Sequence, residues 1–185
     1  MRRQPDNLRS RVGKYSAIWH LLSAGRIRIG HITGPDTYVS ARLRASATQK
    51  VLREAGLPVA GGSAMFGQWS EEWGRQAAAM LLRADPAVDA IFCGNDQVAR
   101  GTADTIRESG RRVPDDVAVV GFDNWDVFVA SCRPPLTTVD MNVRELGRLA
   151  GQFLLDAIDG RSASGLHKLP CALISRESSR PELPQ

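Results

Sequence analysis

Two short stretches, Val88–Cys93 and Val117–Phe122, are apolar almost throughout, and the first runs into an amphipathic helical pattern. A strand with polar residues at alternate positions can lie on a surface, but one that is apolar on both sides must be covered twice. When a helix follows each such strand, the helices supply that cover and the sheet between them is parallel. The rest of the chain repeats the alternation. Ile27–Thr33 reads as a strand stopped by Gly34-Pro35, and a shorter extended piece lies around Ser63–Phe66. Residues 7–24 carry Tyr15, Ile18, Trp19 and Leu22 on one helical face and end at Gly25, a natural terminator. Ser40 is placed to cap a helix running to Gly56, which Leu57-Pro58 keeps from continuing. Ser70 opens a helix with Glu71 and Glu72 in its first turn, where the helix dipole favours them. Trp73, Ala77, Met80, Leu81 and Ala84 then form its apolar stripe. Asp96 reads as the cap of a helix carrying Ala99, Ala103 and Ile106 toward Gly110. The expected fold class is α/β, a doubly wound parallel sheet, with residues 124–135 as a long loop that has room for one helical turn.

The last third differs. Asn142 and Glu145 have capping-box spacing. Leu146, Leu149, Ala150, Phe153, Leu154, Ala157 and Ile158 mark a broad apolar stripe ending at Gly160. Residues 169–175 can add a final strand, and a polar tail follows.

Several function classes are disfavoured by what the sequence contains. With 43% hydrophobic and 24% charged residues the composition is that of an ordinary globular protein. No apolar run approaches the roughly 18–20 residues of a spanning helix, so no membrane partner is expected. Cys93, Cys132 and Cys171 are odd in number and show no CxxC pairing, which fits a reducing cytosol better than a disulfide framework or a zinc site. The net charge of +4 is scattered. Its one local excess (Arg2, Arg3, Arg9, Arg11 and Lys14) reads as a solvated terminus rather than a nucleic-acid arm. His20, His31 and His167 have no recognisable nucleophile turn around them, and no phosphate-cradling or metal motif is present. The expectation is a non-enzyme with no cofactor. His31, inside a strand pattern, is expected in the core.

Ligands of open α/β sheets bind beyond the carboxyl ends of the strands. Four separate loops bring polar or aromatic groups there: Arg42 after the first strand, Trp69 after the second, Asn95 and Asp96 after the third, Asp123 and Asn124 after the fourth. A carboxylate at Asp123 can accept from vicinal hydroxyls, Asn95 can donate and accept, and Arg42 offers a fork of donors. Trp69 offers a flat apolar face to a sugar ring or a base. Each has a structural alternative: Asp96 as a helix cap, Asn95 as a loop former, Trp69 as packing, Arg42 as a surface helix residue. Asp123 is the hardest to explain by structure alone.

In combination, RIRIGHITGP (26–35), SARLRASATQKVLREAGL (40–57), GQWSEEWG (67–74), AIFCGNDQVARGTADTIRESGRRVPDDVAVVGFDN (90–124), PPLTTV (134–139) and RELGRLA (144–150) resemble the carboxyl-terminal part of LacI/GalR-family transcriptional regulators. The resemblance implies a periplasmic-binding-protein-like sensing core with a small-molecule effector, sugar or nucleoside-like, between two lobes. It also implies homodimerisation, a cytoplasmic setting, and operator DNA bound through a helix-turn-helix that does not precede Asp6 here. By position it gives Arg42, Trp69, Asn95 and Asp123 as effector contacts. The alternative on the same fold is the sugar-binding module of a transport protein. The expected boundaries are 1–5 as an unmatched tail and 6–138 as the carboxyl-terminal lobe. Residues 139–160 follow as the crossover and helix of the partner lobe, 161–178 as a returning strand and 179–185 as a tail. On this reading the 142–159 stripe has lost its lobe partner and should either fold back or meet a second chain.

Overall fold

The computed structural model describes residues 15–161 and 164–180. The basic run at residues 2–14 and the first part of the 7–24 helix lie outside the described residues. The elements in chain order are α1 (Ser16–Ser23), β1 (Ile29–Thr33), α2 (Val39–Glu54), β2 (Met65–Phe66), α3 (Glu71–Ala84) and β3 (Ala90–Cys93). They continue with α4 (Asp96–Glu108), β4 (Ala118–Asp123), α5 (Asp126–Ser131), β5 (Thr137–Asp140), α6 (Val143–Ile158) and β6 (Ala172–Ile174).

Six strands make one sheet in the order β2-β1-β3-β4-β5-β6. The first five are mutually parallel, as expected from their alternation with helices. The sixth departs from an all-parallel sheet: β6 pairs antiparallel to β5, with Val139 opposite Leu173. It returns from α6 and needs no crossover to reach its neighbour.

Alternation along the strands divides the core into two layers. Ile91, Cys93 and Val119 face α3 and α4, where they meet Ala77, Leu81, Val98, Ala103 and Ile106. Ala90, Phe92, Val120 and Phe122 face α1 and α2, meeting Ile18, Leu21, Val51 and Leu52. α3 and α4 approach backbone to backbone, because a Cβ on Gly101 would lie 2.1 Å from the Glu71 carbonyl oxygen. As expected, His31 is buried in the sheet. Its Nδ1 is 2.8 Å from the Phe92 carbonyl, and burial holds it down to a pKa of about 4.

Residues beyond β6 return into the lobe. Ser178 Oγ donates to the Val119 carbonyl at 2.6 Å and accepts from the Thr137 amide at 2.8 Å. His20 Nε2 and Ser179 Oγ lie 2.7 Å apart.

Helix starts are where the sequence reading needs most correction. α2 begins one residue before Ser40, with Tyr38 in the cap position and no side-chain cap. α4 is capped by Asn95, whose Oδ1 accepts from the Val98 amide at 2.8 Å, and not by Asp96. Asn142 is left-handed, with φ of 56°, so its side chain makes no cap and the box with Glu145 does not form. Glu145 pairs with Arg148 instead. Ser70 does cap α3, accepting from the Trp73 amide at 3.1 Å. The expected loop over 124–135 contains α5.

Candidate functional site

The parallel strands end along one edge of the sheet, and three of the four residues expected there stand on it. Trp69, in the loop between β2 and α3, lies flat over the turn after β1. A Cβ on Gly34 would be 2.1 Å from the indole, so only glycine leaves the ring room. Tyr38 meets the same indole edge-on, with centroids 6.2 Å apart. Asn95 begins the turn after β3, where it spends its carbonyl oxygen on the cap of α4; its amide nitrogen is not part of that bond. Asp123 closes β4 with φ of 114°, a conformation that side-chain-bearing residues rarely adopt.

Arg42 does not join them. It is exposed, its Nη1 donates to the Asp36 carbonyl, and it lines a groove of about 390 Å³ with Ser46, Gln49, Ser63 and Phe66. The arginine at the edge is Arg44, which the sequence reading passed over. Two positions along a helix turn a side chain through about 200°, so the two arginines of SARLR point to opposite sides of α2. Only one of them faces the strand ends.

Arg44 is the hub of the edge. Its Nη1 donates to the Gly94 carbonyl at 2.5 Å, next to Asn95. Its guanidinium lies 3.7 Å above the Phe122 ring and 5.7 Å from the Trp69 ring. Nη2 sits 3.8 Å from Asp123 Oδ1. That separation is an ion pair but not a hydrogen bond. The side chains are 12% and 19% exposed, so both charges are largely withdrawn from water. Burial lowers the Arg44 pKa despite the nearby Asp123. Burial also pushes Asp123 up to about 7, against the pull of Arg44 and assisted by Asp96. Desolvation therefore outweighs the attraction on both sides of the pair. Among the described residues no hydrogen-bond donor reaches the Asp123 carboxylate. The edge thus presents a carboxylate with open acceptor positions, a guanidinium and an indole face, a set suited to a hydroxyl-bearing ring.

Asp96 supports this edge from below. It is buried, with Oδ1 accepting from Thr138 Oγ1 at 2.5 Å and Oδ2 from the Trp125 amide at 2.9 Å. Gly121 makes room for it, since a Cβ there would lie 2.3 Å from Oδ1. Burial raises the Asp96 pKa to about 6, against the hydrogen bonds that favour its ionised form. Among the described residues no cluster of His, Cys, Asp and Glu could hold a metal ion.

A single sheet with its polar edge at the carboxyl ends and helices on both faces has the form of a lobe of a periplasmic-binding-protein-type fold. The family described as periplasmic binding protein-like domain matches residues 18–179, and the chain belongs to it. Within that fold the match is to the carboxyl-terminal, effector-binding part of LacI-family transcriptional regulators. The chain is 36% identical over 169 residues to the lactose operon repressor of Escherichia coli (strain K12), covering 90% of this chain and 46% of the repressor. It is 34% identical over 176 residues to the HTH-type transcriptional repressor CytR of the same strain, covering 95% of this chain and 50% of CytR. Among solved structures, the lactose repressor bound to the anti-inducer ONPF in the induced state matches with a TM-score of 0.85 at 32% identity, over 91% of this chain and 61% of that one. The complex of the transcriptional regulator CelR with cellobiose matches with 0.81 at 32% identity, over 94% and 52%. The chain spans about half the length of the curated relatives it matches. No helix among the described residues is long and apolar enough to cross a membrane.

Proposed function

We propose that this chain is the sensing half of a cytoplasmic transcriptional regulator, and that Arg44, Trp69, Asn95 and Asp123 take a polyhydroxyl effector, sugar or nucleoside-like. The observation that carries the reading is the Arg44–Asp123 pair. Two largely buried, opposite charges 3.8 Å apart are too far for a direct hydrogen bond. Vicinal hydroxyls can accept from the guanidinium and donate to the carboxylate at once, filling positions that the protein leaves open. With its pKa near 7, Asp123 can meet a hydroxyl either as acceptor or, when protonated, as donor.

The rest of the reading leans on the relatives, which are named as repressors rather than transport proteins or enzymes. Effector binding biases the closure of two lobes and the geometry of a homodimer, and so the operator affinity of a helix-turn-helix. In that arrangement residues 139–160 are the crossover and helix of the second lobe. The exposure of α6, none of whose residues is buried, supports this division.

The test is a thermal-shift and calorimetry panel of sugars, nucleosides and sugar phosphates on the 185-residue chain. Because the opposing wall of the cleft belongs to the second lobe, the expected affinity is weak, about millimolar. R44A and D123A should abolish binding and R42A should leave it. Tight binding that survives R44A would refute the site.

A further inference from the structure

We infer that the crossover Asp140–Asn142 reads the state of the Arg44–Asp123 pair, with Asn124 as the positioning residue that connects the two. Among the described residues three non-glycines have positive φ: Asp123 at 114°, Asn124 at 59° and Asn142 at 56°. All three lie on one path, whose first link is the peptide bond from Asp123 to Asn124 and whose others are hydrogen bonds. Asn124 follows Asp123 directly, and its Nδ2 donates to Asp140 Oδ2 at 3.2 Å. Asp140 Oδ1 accepts from the Asn142 amide at 2.7 Å. Asn142 is the residue from which α6 departs.

The path has two anchors. Arg176, two residues beyond β6, donates through Nη2 to Asn124 Oδ1 at 3.0 Å and through Nη1 to the Leu136 carbonyl at 2.8 Å. One amide side chain therefore holds the strand entering α6 and the segment that returns from it. The second anchor starts at the other partner of the pair. Arg44 Nη2 lies 3.8 Å from Met141 Sδ, so the guanidinium touches the residue next to Asn142.

Packing does not fix the direction of α6. None of its residues is buried, and among the described residues its one ring contact is Phe153 with His167 at 4.6 Å. What orients the helix is whatever holds residues 140–142: the sheet at Asp140, which stands opposite Asp123 and Ala172, Asn124 through the Asp140 side chain, and Arg44 at Met141. A ligand that draws Arg44 or Asp123 toward itself therefore displaces the base of α6. This rests on the site proposed above, but the wiring exists without ligand and is tested without it.

The experiment uses spin labels on exposed positions of α2 and α6, introduced as Q49C and Q152C in the C171S background. Cys93 and Cys132 are buried and do not label. The inter-label distance distribution is measured for this chain, for N124G and for I106V. N124G keeps the positive φ and removes both side-chain hydrogen bonds, whereas I106V loosens the α4 core far from the path. The expected result is a distribution about twofold broader in N124G and unchanged in I106V, as for a hinge that has lost its stop. D140N, which keeps one acceptor oxygen, should broaden it less, and it stands in if N124G does not fold. An unchanged width in N124G and D140N, or equal broadening in I106V, would overturn the inference. Neither outcome bears on whether the rim binds an effector.

Discussion

α4 and α6 carry the same kind of message in the sequence, an apolar stripe of helical period, and meet opposite fates. In α4 seven residues are buried, among them Val98, Ala103 and Ile106 between the sheet and α3. In α6 none is, and Leu154 and Ile158 are 63% and 73% exposed. Periodicity thus says that a helix has an inside, not where that inside is. α4 finds its partner in the preceding βα unit, a contact local to this lobe. Among the described residues α6 gains no such cover: none of its side chains is buried, and Phe153 meets only the His167 ring. Leaving several large apolar side chains in water forgoes roughly 1.5 kcal/mol or more for each.

That contrast can be broken by substitution, and the largest effect should come from α4. I106A should destabilise the chain by about 3 kcal/mol in urea unfolding, since the side chain is fully buried and the cavity is walled by rigid elements. G101A should cost about 2 kcal/mol, because the added methyl meets a backbone oxygen that cannot turn away. D123N should act in the opposite sense. The folded-state pKa of Asp123 is about 7 against an ordinary 3.8, so between about pH 4 and 7 the folded chain holds a proton that the unfolded chain has released. Stability contributed by this group therefore falls as pH rises through that window. D123N should flatten the fall and gain about 1 kcal/mol at pH 8, read as a higher melting temperature. The smallest effect is expected from I158A, under about 0.5 kcal/mol. A loss as large as that of I106A would mean that α6 is covered in solution and would end the contrast.

The sheet was legible because β3 and β4 are apolar on both faces, a pattern with few other uses. The direction of β6 was not, since three residues, one exposed and two half-buried, look alike either way. Caps were legible only where one candidate stood alone. At Ser70 the reading holds. At Asn95 and Asp96 two capping residues are adjacent, and the choice is made by Thr138 and Trp125, which draw the Asp96 carboxylate away from its own helix. The box at Asn142 failed because a left-handed φ cannot be read from a spacing. Of the site, Trp69, Asn95 and Asp123 were reachable from the rule that ligands lie beyond strand ends. The arginine was not: SARLR offers two, and deciding between them needs the rotation of α2 about its axis. A stripe of large apolar residues at helical period in that helix would have fixed the rotation, but its buried positions are mostly small, such as Ala41, Ala47 and Thr48.

That the rim rather than either surface groove receives the ligand is tested most directly by nuclear magnetic resonance, titrating the labelled chain with the strongest binder from the panel. The indole N–H of Trp69, the Nε–H of Arg44 and the amides of Asn95 and Asn124 should move together along one saturation curve, unaffected by R42A and lost in R44A. Shifts confined to the groove beside Arg42, or to the larger one lined by Leu82, Arg83 and Thr105 between α3 and α4, with the Trp69 and Arg44 signals still, would contradict it.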